Sequence, residues 1–265
     1  MIYFNGEKVQ VKKFPNGEAM INSTNLKLRD TNNEIKLTFE NDEDITHLIF
    51  LKGHLDELRI KCNLLIPYMP YSRMDRTEGI TVFTLKHFCK LINNLGFESV
   101  TIYEPHSEVS TALLDRVKVV NMSKILTYEL LKKLNRQEEE VYLVYPDAGA
   151  AKRYGKEIDY KKVLTASKER DFKTGRIKKL DINGEIEAKS FKAIIVDDLC
   201  SKGGTFEFTA SKLKEMGATE IYLVVTHCEN TIFKGNLLNS DLITGIYTTN
   251  SILSEGHEKI KVYEI

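Results

Sequence analysis

The sequence predicts an α/β fold built as two similar halves, each a mainly parallel sheet flanked by helices. Short β-branched or apolar runs recur along the chain, with amphipathic stretches of helical spacing between them. Several runs are apolar at consecutive positions, as strands covered on both faces are. The alternation occurs twice, over roughly residues 1–130 and 131–265, and no Pro/Gly/Ser-rich linker or low-complexity segment separates the halves. Strand–helix–strand succession of this kind implies right-handed crossovers.

In the first half, Asp42–Leu58 sets Ile45, Leu48, Ile49, Leu55 and Leu58 on one stripe and predicts a helix, followed by a strand over Asn63–Pro67. Thr81–Leu95 repeats the helical pattern with Phe83, Leu85, Phe88, Leu91, Ile92 and Leu95, and Gly96 is placed to terminate it. A strand over Ser99–Tyr103 and a helix over Ser123–Leu134 lead into the second half. There the strands are Val141–Tyr145, Ala193–Val196 and Ile221–Thr226, with a helix over Thr205–Met216 closed by Gly217. In parallel sheets ligands bind beyond the carboxyl ends of strands, so chemistry is expected just after each apolar run.

Composition narrows the classes. The chain has 265 residues, 42% of them hydrophobic, enough for a sizeable core. Lys+Arg and Asp+Glu both count 38, which gives no global basic field to gather nucleic acid or a membrane surface, so electrostatic function is expected to be local. Cys62, Cys89, Cys200 and Cys228 have neither CxxC nor metal-ligand spacing and favour reduced thiols in a cytoplasmic setting. The opening MIYFNGEKVQ has no long apolar core and predicts no signal peptide. No apolar run approaches a membrane span.

The most specific segment is IIVDDLCSKGGTF, Ile194–Phe206. An apolar strand ends in Asp197 and Asp198, and a short loop of Ser201, Lys202, Gly203, Gly204 and Thr205 opens a helix. Paired glycines let backbone approach a ligand, the first helical turn offers free N–H groups to a phosphate, and adjacent carboxylates suit vicinal ribose hydroxyls. Read blandly, it is a strand, an acidic turn and a glycine-rich helix start. This segment resembles the phosphoribosyl-pyrophosphate loop of the type I phosphoribosyltransferase fold, which implies phosphoribosyltransferase-like halves.

Further segments in the same order resemble the ribose-phosphate pyrophosphokinase (phosphoribosyl-pyrophosphate synthetase) family over nearly the whole chain. FPNGE, Phe14–Glu18, is similar to an early turn of that family. IPYMPYSRMDR, Ile66–Arg76, resembles its ATP-binding segment and implies ATP contacts from Tyr71, Arg73, Asp75 and Arg76, with Tyr68 also suited to stacking. The alternative is a Pro-kinked loop with solvated charges. Met74 stands where the family usually has glutamine. YEPHS, Tyr103–Ser107, carries His106, which the resemblance implies to attend ATP and Mg²⁺, although a lone histidine is more often structural. VYPDAGAAKR, Val144–Arg153, carries Asp147, a hard oxygen donor suited to Mg²⁺ and the family's second metal-site residue by resemblance.

SKERDFKTGRI, Ser167–Ile177, resembles the family's mobile catalytic loop. That resemblance gives Lys168 and Arg170 the role of closing over the transferring group, where cations stabilise the charge that develops. A solvated hairpin turning at Thr174-Gly175 is the other reading. Thr226-His227 and Tyr247–Asn250 echo family segments as supports.

The resemblance implies Mg²⁺-dependent transfer of the β,γ-diphosphate of ATP to the anomeric hydroxyl of a phosphorylated ribose, in a homo-oligomer. The chain is shorter than usual for the family, and its loop reads Ser201-Lys202 where Asp-Thr is typical, removing an acid and adding a cation. Two acceptors therefore stand open: ribose 5-phosphate, or ADP-ribose as in a short phage-associated branch that rebuilds NAD. A phosphoribosyltransferase that consumes the activated ribose, or a non-catalytic paralogue, would share the acidic loop. The first has no need of IPYMPYSRMDR, and the second usually loses the basic loop.

Overall fold

The computed structural model describes residues 1–135, 139–170 and 177–265, the side chains of 169, 170 and 177–179 excepted. The chain forms two compact units, Met1–Val120 and Asn121–Ile265. The division falls before the helix expected over Ser123–Leu134, which belongs by its packing to the second unit, and so ahead of the expected boundary at residue 130.

The first unit contains β1 (Ile2–Phe4), β2 (Glu7–Lys8), β3 (Val11–Lys13), β4 (Ala19–Ile21), β5 (Asn33–Leu37), α1 (Glu43–Glu57), β6 (Cys62–Ile66), α2 (Thr84–Asn94), β7 (Val100–Tyr103), α3 (Glu108–Leu113) and β8 (Val117–Val120). Its main sheet runs β2-β1-β5-β6-β7-β8, with β5 to β8 parallel and the two N-terminal strands antiparallel. The β3–β4 ribbon carries FPNGE at its tip, closed by Phe14 N–H to Glu18 O at 2.9 Å. Helix α2 starts at Thr84, three residues after the expected start, with Phe83 at its N-cap packed against the core.

The second unit contains α4 (Met122–Leu134), β9 (Glu140–Tyr145), α5 (Ala148–Tyr154), β10 (Val163–Arg170), β11 (Ile177–Asn183), β12 (Phe191–Cys200), α6 (Gly204–Glu215), β13 (Ala218–Cys228), β14 (Gly245–Thr249) and β15 (Ile260–Tyr263). The sheet order is β11-β10-β9-β12-β13-β14-β15, parallel throughout except for the edge pair β10–β11. Strand β12 shows why an unbroken apolar run was needed. Ala193 and Ile195 pack into a cluster with Phe206, Ala210 and Leu213 of α6. Ile194 and Val196 enter the opposite cluster with Leu126 and Leu130 of α4 and Tyr154 of α5.

Connections from the middle of this sheet leave in opposite directions. Strand β9 has β10 on one side and β12 on the other, so the carboxyl ends of β9 and β12 flank a topological switch point. All four cysteines are free and buried. Among the described residues, no helix is long and apolar enough to cross a membrane.

Candidate active site

At the switch point of the second unit, β9 gives way to Pro146 and then Asp147, which caps α5. Its Oδ1 accepts the Ala150 N–H at 2.9 Å. Its Oδ2 accepts from the Lys168 ammonium at 2.7 Å. Burial pushes the Asp147 carboxyl up, but the bonds from Lys168 and from the Ala150 and Gly149 N–H groups outweigh it and hold the group below its ordinary range. Lys168 was expected in a loop. It stands instead on β10, which runs to Arg170 and pairs with β11, so the polar segment opens as a two-stranded ribbon. The side chain of Arg170 and residues 171–176, where a turn at Thr174-Gly175 was the alternative expectation, lie outside the described residues.

The acidic pair also sits differently from a simple strand-end turn. Strand β12 continues through Asp197 and Asp198 to Cys200, because β13 pairs with it as far as Cys200↔Cys228. Strand β9, by contrast, stops pairing at Ile195↔Val144. Both acids therefore sit on rigid backbone with one side of the strand open. Asp197 Oδ1 accepts the N–H of Asp198 at 2.9 Å. Asp198 is buried, and the Arg153 guanidinium of α5 lies 3.5 Å from its Oδ1. Burial, then the adjoining Asp198 carboxylate and Asp147, push the Asp197 carboxyl well above the ordinary range. Three strand tips thus converge: Asp147 is bonded to Lys168 and its charge is felt by Asp197.

Gly203 and Gly204 divide the work of the glycine loop. Gly203 has φ +82°, and a Cβ there would meet Leu237 Cδ2 at 2.7 Å. Gly204 begins α6, and a Cβ there would meet nothing within 4 Å, so its open face is available to a ligand. The loop is backed by the segment after β13: Glu229 N–H bonds Cys200 O at 2.8 Å, and a Cβ on Gly235 would clash with Lys202 O. Ser201 and Thr205 are half-buried and Lys202 is exposed.

In the first unit, the segment after β6 is anchored by Tyr71. Its ring meets Phe39 and Phe88 edge-on at 5.7 and 5.4 Å, and its hydroxyl donates to Asp42. Burial, reinforced by Asp42, pushes its phenol up to about 12. Tyr71, expected as an ATP contact, is held by these contacts at φ +61°. Arg73 and Arg76 are exposed. Arg76 Nε bonds Glu78 at 2.8 Å, with Asp75 at 3.9 Å. His106 is half-buried beyond β7, between buried Glu104 (φ +39°) and Ser107, which caps α3.

A ribose-phosphate pyrophosphokinase from Sulfurisphaera tokodaii is 30% identical, the match covering 97% of this chain and 89% of that protein. The chain belongs to the ribose-phosphate pyrophosphokinase family. The family's Bacillus subtilis member is 26% identical, over 97% of this chain and 81% of that one. A family model described as phosphoribosyl synthetase-associated domain matches residues 161–265, which include β10 to β15. The fold is that of the crystal structure of phosphoribosylpyrophosphate synthetase from Mycobacterium smegmatis, with a TM-score of 0.77, 17% identity, and coverage of 97% of this chain and 86% of that one. The chain is therefore an enzyme of the ribose-phosphate pyrophosphokinase class. Arg153, Gly235 and Leu237 escaped the sequence reading as site residues. Arg153 lay inside the quoted VYPDAGAAKR segment without a role, and the other two carry no motif.

Proposed function

We propose that the enzyme transfers the β,γ-diphosphate of ATP to the anomeric hydroxyl of ribose 5-phosphate, releasing AMP. The observation that carries this reading is the convergence in the second unit of Asp197-Asp198, the Gly203-Gly204 turn and the Lys168–Asp147 pair on neighbouring strand tips. The backbone N–H groups at the start of α6 receive the 5-phosphate, and the acids hold the ribose hydroxyls. ATP is assigned to Tyr71, Arg73, Asp75, Arg76 and His106 of the first unit. Lys168, and Arg170 with it, stabilise charge on the group in transfer, so orientation and electrostatics carry the rate without a covalent intermediate.

Mg²⁺ fits the donor set in one respect. Asp147 is a hard oxygen ligand held ionised, and magnesium takes one or two carboxylates with substrate phosphates and water. His106 is the other candidate for Mg²⁺, acting through water or the phosphates. When bound, the ion would neutralise phosphate charge.

A second acceptor, ADP-ribose, is favoured by the exposed Lys202 beside the open face of Gly204. A diphosphate ester gains from the added cation, whereas a single phosphate is already met by backbone N–H groups. The test offers ATP and Mg²⁺ with either acceptor and weighs the products. AMP plus an acceptor heavier by one diphosphate is expected. Equal turnover of both acceptors by a Lys202→Thr variant and the parent removes Lys202 from acceptor choice. No ATP consumption with either acceptor rejects the activity and leaves a binding paralogue. Turnover only of a preformed phosphoribosyl pyrophosphate with a nucleobase makes the chain a phosphoribosyltransferase.

A further inference from the structure

We infer that Ser123, on α4, is a positioning residue for the ribose-holding acid Asp197. Its hydroxyl lies 2.9 Å from the backbone carbonyl of Asp197 and 2.9 Å from Thr226 Oγ1, in a fully buried position. A carbonyl only accepts, so the single serine hydrogen points at Asp197 O, and Thr226 donates to Ser123 in turn. The chain of donors runs Thr226 to Ser123 to Asp197.

This bond orients a carboxylate because of the peptide it holds. The Asp197 C=O and the Asp198 N–H belong to one planar unit, pointing opposite ways. Ser123 grips the carbonyl end, and the N–H end binds Asp197 Oδ1 at 2.9 Å. Rotation of that peptide plane would swing the carboxylate with it. Strand β9 gives no ladder partner beyond Ile195, so on that side the plane lacks the restraint a central strand usually has. Thr226 is itself fixed, its carbonyl accepting from Thr249 Oγ1 at 2.7 Å and Thr248 Oγ1 at 3.2 Å. The tips of β12, β13 and β14 are thereby tied to the start of α4.

The inference rests on Asp197 holding the acceptor, and the test separates the two claims. Steady-state kinetics are measured on the full chain with ATP and whichever acceptor it turns over, alongside thermal melts. Ser123→Ala is expected to raise the acceptor KM about tenfold while ATP KM and kcat stay within about twofold. Ser123→Thr, which keeps the hydroxyl, is expected to restore the acceptor KM. Thr226→Val removes the outer donor but leaves the Ser123–Asp197 bond, so it should lower Tm without moving the acceptor KM. Should Ser123→Ala fail to fold, Ser123→Cys, a weak donor of similar size, is expected to raise the acceptor KM a few-fold, and an unchanged value overturns the inference. So does a rise of acceptor and ATP KM together, or a Thr226→Val variant that loses acceptor affinity as strongly. If Asp197→Asn loses acceptor affinity and Ser123→Ala does not, the positioning role alone fails. If Asp197→Asn leaves the acceptor KM unchanged, the acceptor-holding reading fails and takes this inference with it.

Discussion

Lys168 Nζ lies 2.7 Å from Asp147 Oδ2, which joins the ribbon strand β10 to the tip of β9 by an ion pair across neighbouring strands. The pair sits where the family's transfer chemistry is proposed. Lys168→Ala should lower kcat by roughly 10²–10³-fold with ATP KM within about threefold, because a cation that stabilises developing charge acts mainly in the transition state. Single-turnover measurement of AMP release checks it. A KM rise with kcat intact would remove the residue from the chemical step.

The same pair has a pH signature. The Asp147 carboxyl is held below its ordinary value of 3.8, burial opposing and the bonds from Lys168 and Ala150 prevailing. A depressed carboxylate contributes stability that is present above its unfolded pKa and lost as pH falls through the folded one. Melts from pH 7 down to about 3 should therefore show a smaller acid-induced fall in Tm for Asp147→Asn than for the parent. Parallel curves would mean that the pair adds nothing to folding.

Asp197 carries the opposite sign. Burial and the neighbouring Asp198 raise its carboxyl, so its folded pKa exceeds the unfolded one. The stability linked to it is fully present below the unfolded pKa and lost as pH rises through the folded value, so at neutrality the acid costs the folded state stability. Asp197→Asn is expected to raise Tm at pH 7, by roughly 2–4 °C for each kcal/mol relieved, while acceptor affinity collapses. Calorimetry beside kinetics decides it. A fall in both would show that the acid is structural.

The parallel core was legible because Ile194–Val196 and Leu223–Val225 are apolar at every position, which only a strand buried on both faces requires. The acid pair and the glycine loop were legible because their chemistry is local in sequence. The length of β12 was not, since Asp197 and Asp198 read as the end of an apolar run, whereas the ladder to β13 continues past them to Cys200. Nor was the backing of the loop by Gly235 and Leu237, which depends on contacts far apart in the chain and leaves no periodic trace. Ser123 looked like an ordinary helix-start serine. Its bond to Asp197 spans 74 positions and belongs to the tertiary fold alone.

Away from the site, α1 is capped by Leu58 and passes into Arg59 at φ +57°, where Arg59 N–H bonds Asp56 O at 2.9 Å and Ile60 N–H bonds Leu55 O at 2.8 Å. A left-handed residue after a helix is the position glycine fills without steric cost. Arg59→Gly should stabilise the protein by about 0.5–1 kcal/mol, the local relief exceeding the extra backbone entropy of the unfolded glycine. Activity should be unchanged. Denaturant melts showing a loss of stability would mean that the arginine side chain makes a contribution larger than the strain.

The two glycines of the phosphate loop separate packing from ligand contact. Gly203→Ala forces a side chain onto φ +82° and drives its Cβ to 2.7 Å from Leu237 Cδ2, so it should cost about 1–2 kcal/mol for the backbone alone and more for the clash. Gly204→Ala puts its Cβ into open space at a helical position, where alanine is the better helix former, and Tm should hold or rise slightly. Its acceptor KM should nevertheless increase tenfold or more, because the added methyl occupies the space through which a phosphate would approach the α6 N–H groups. Isothermal titration of the two single variants with the acceptor, read against their melts, makes the distinction. If Gly204→Ala binds as tightly as the parent, the phosphate does not lie on this face of the loop.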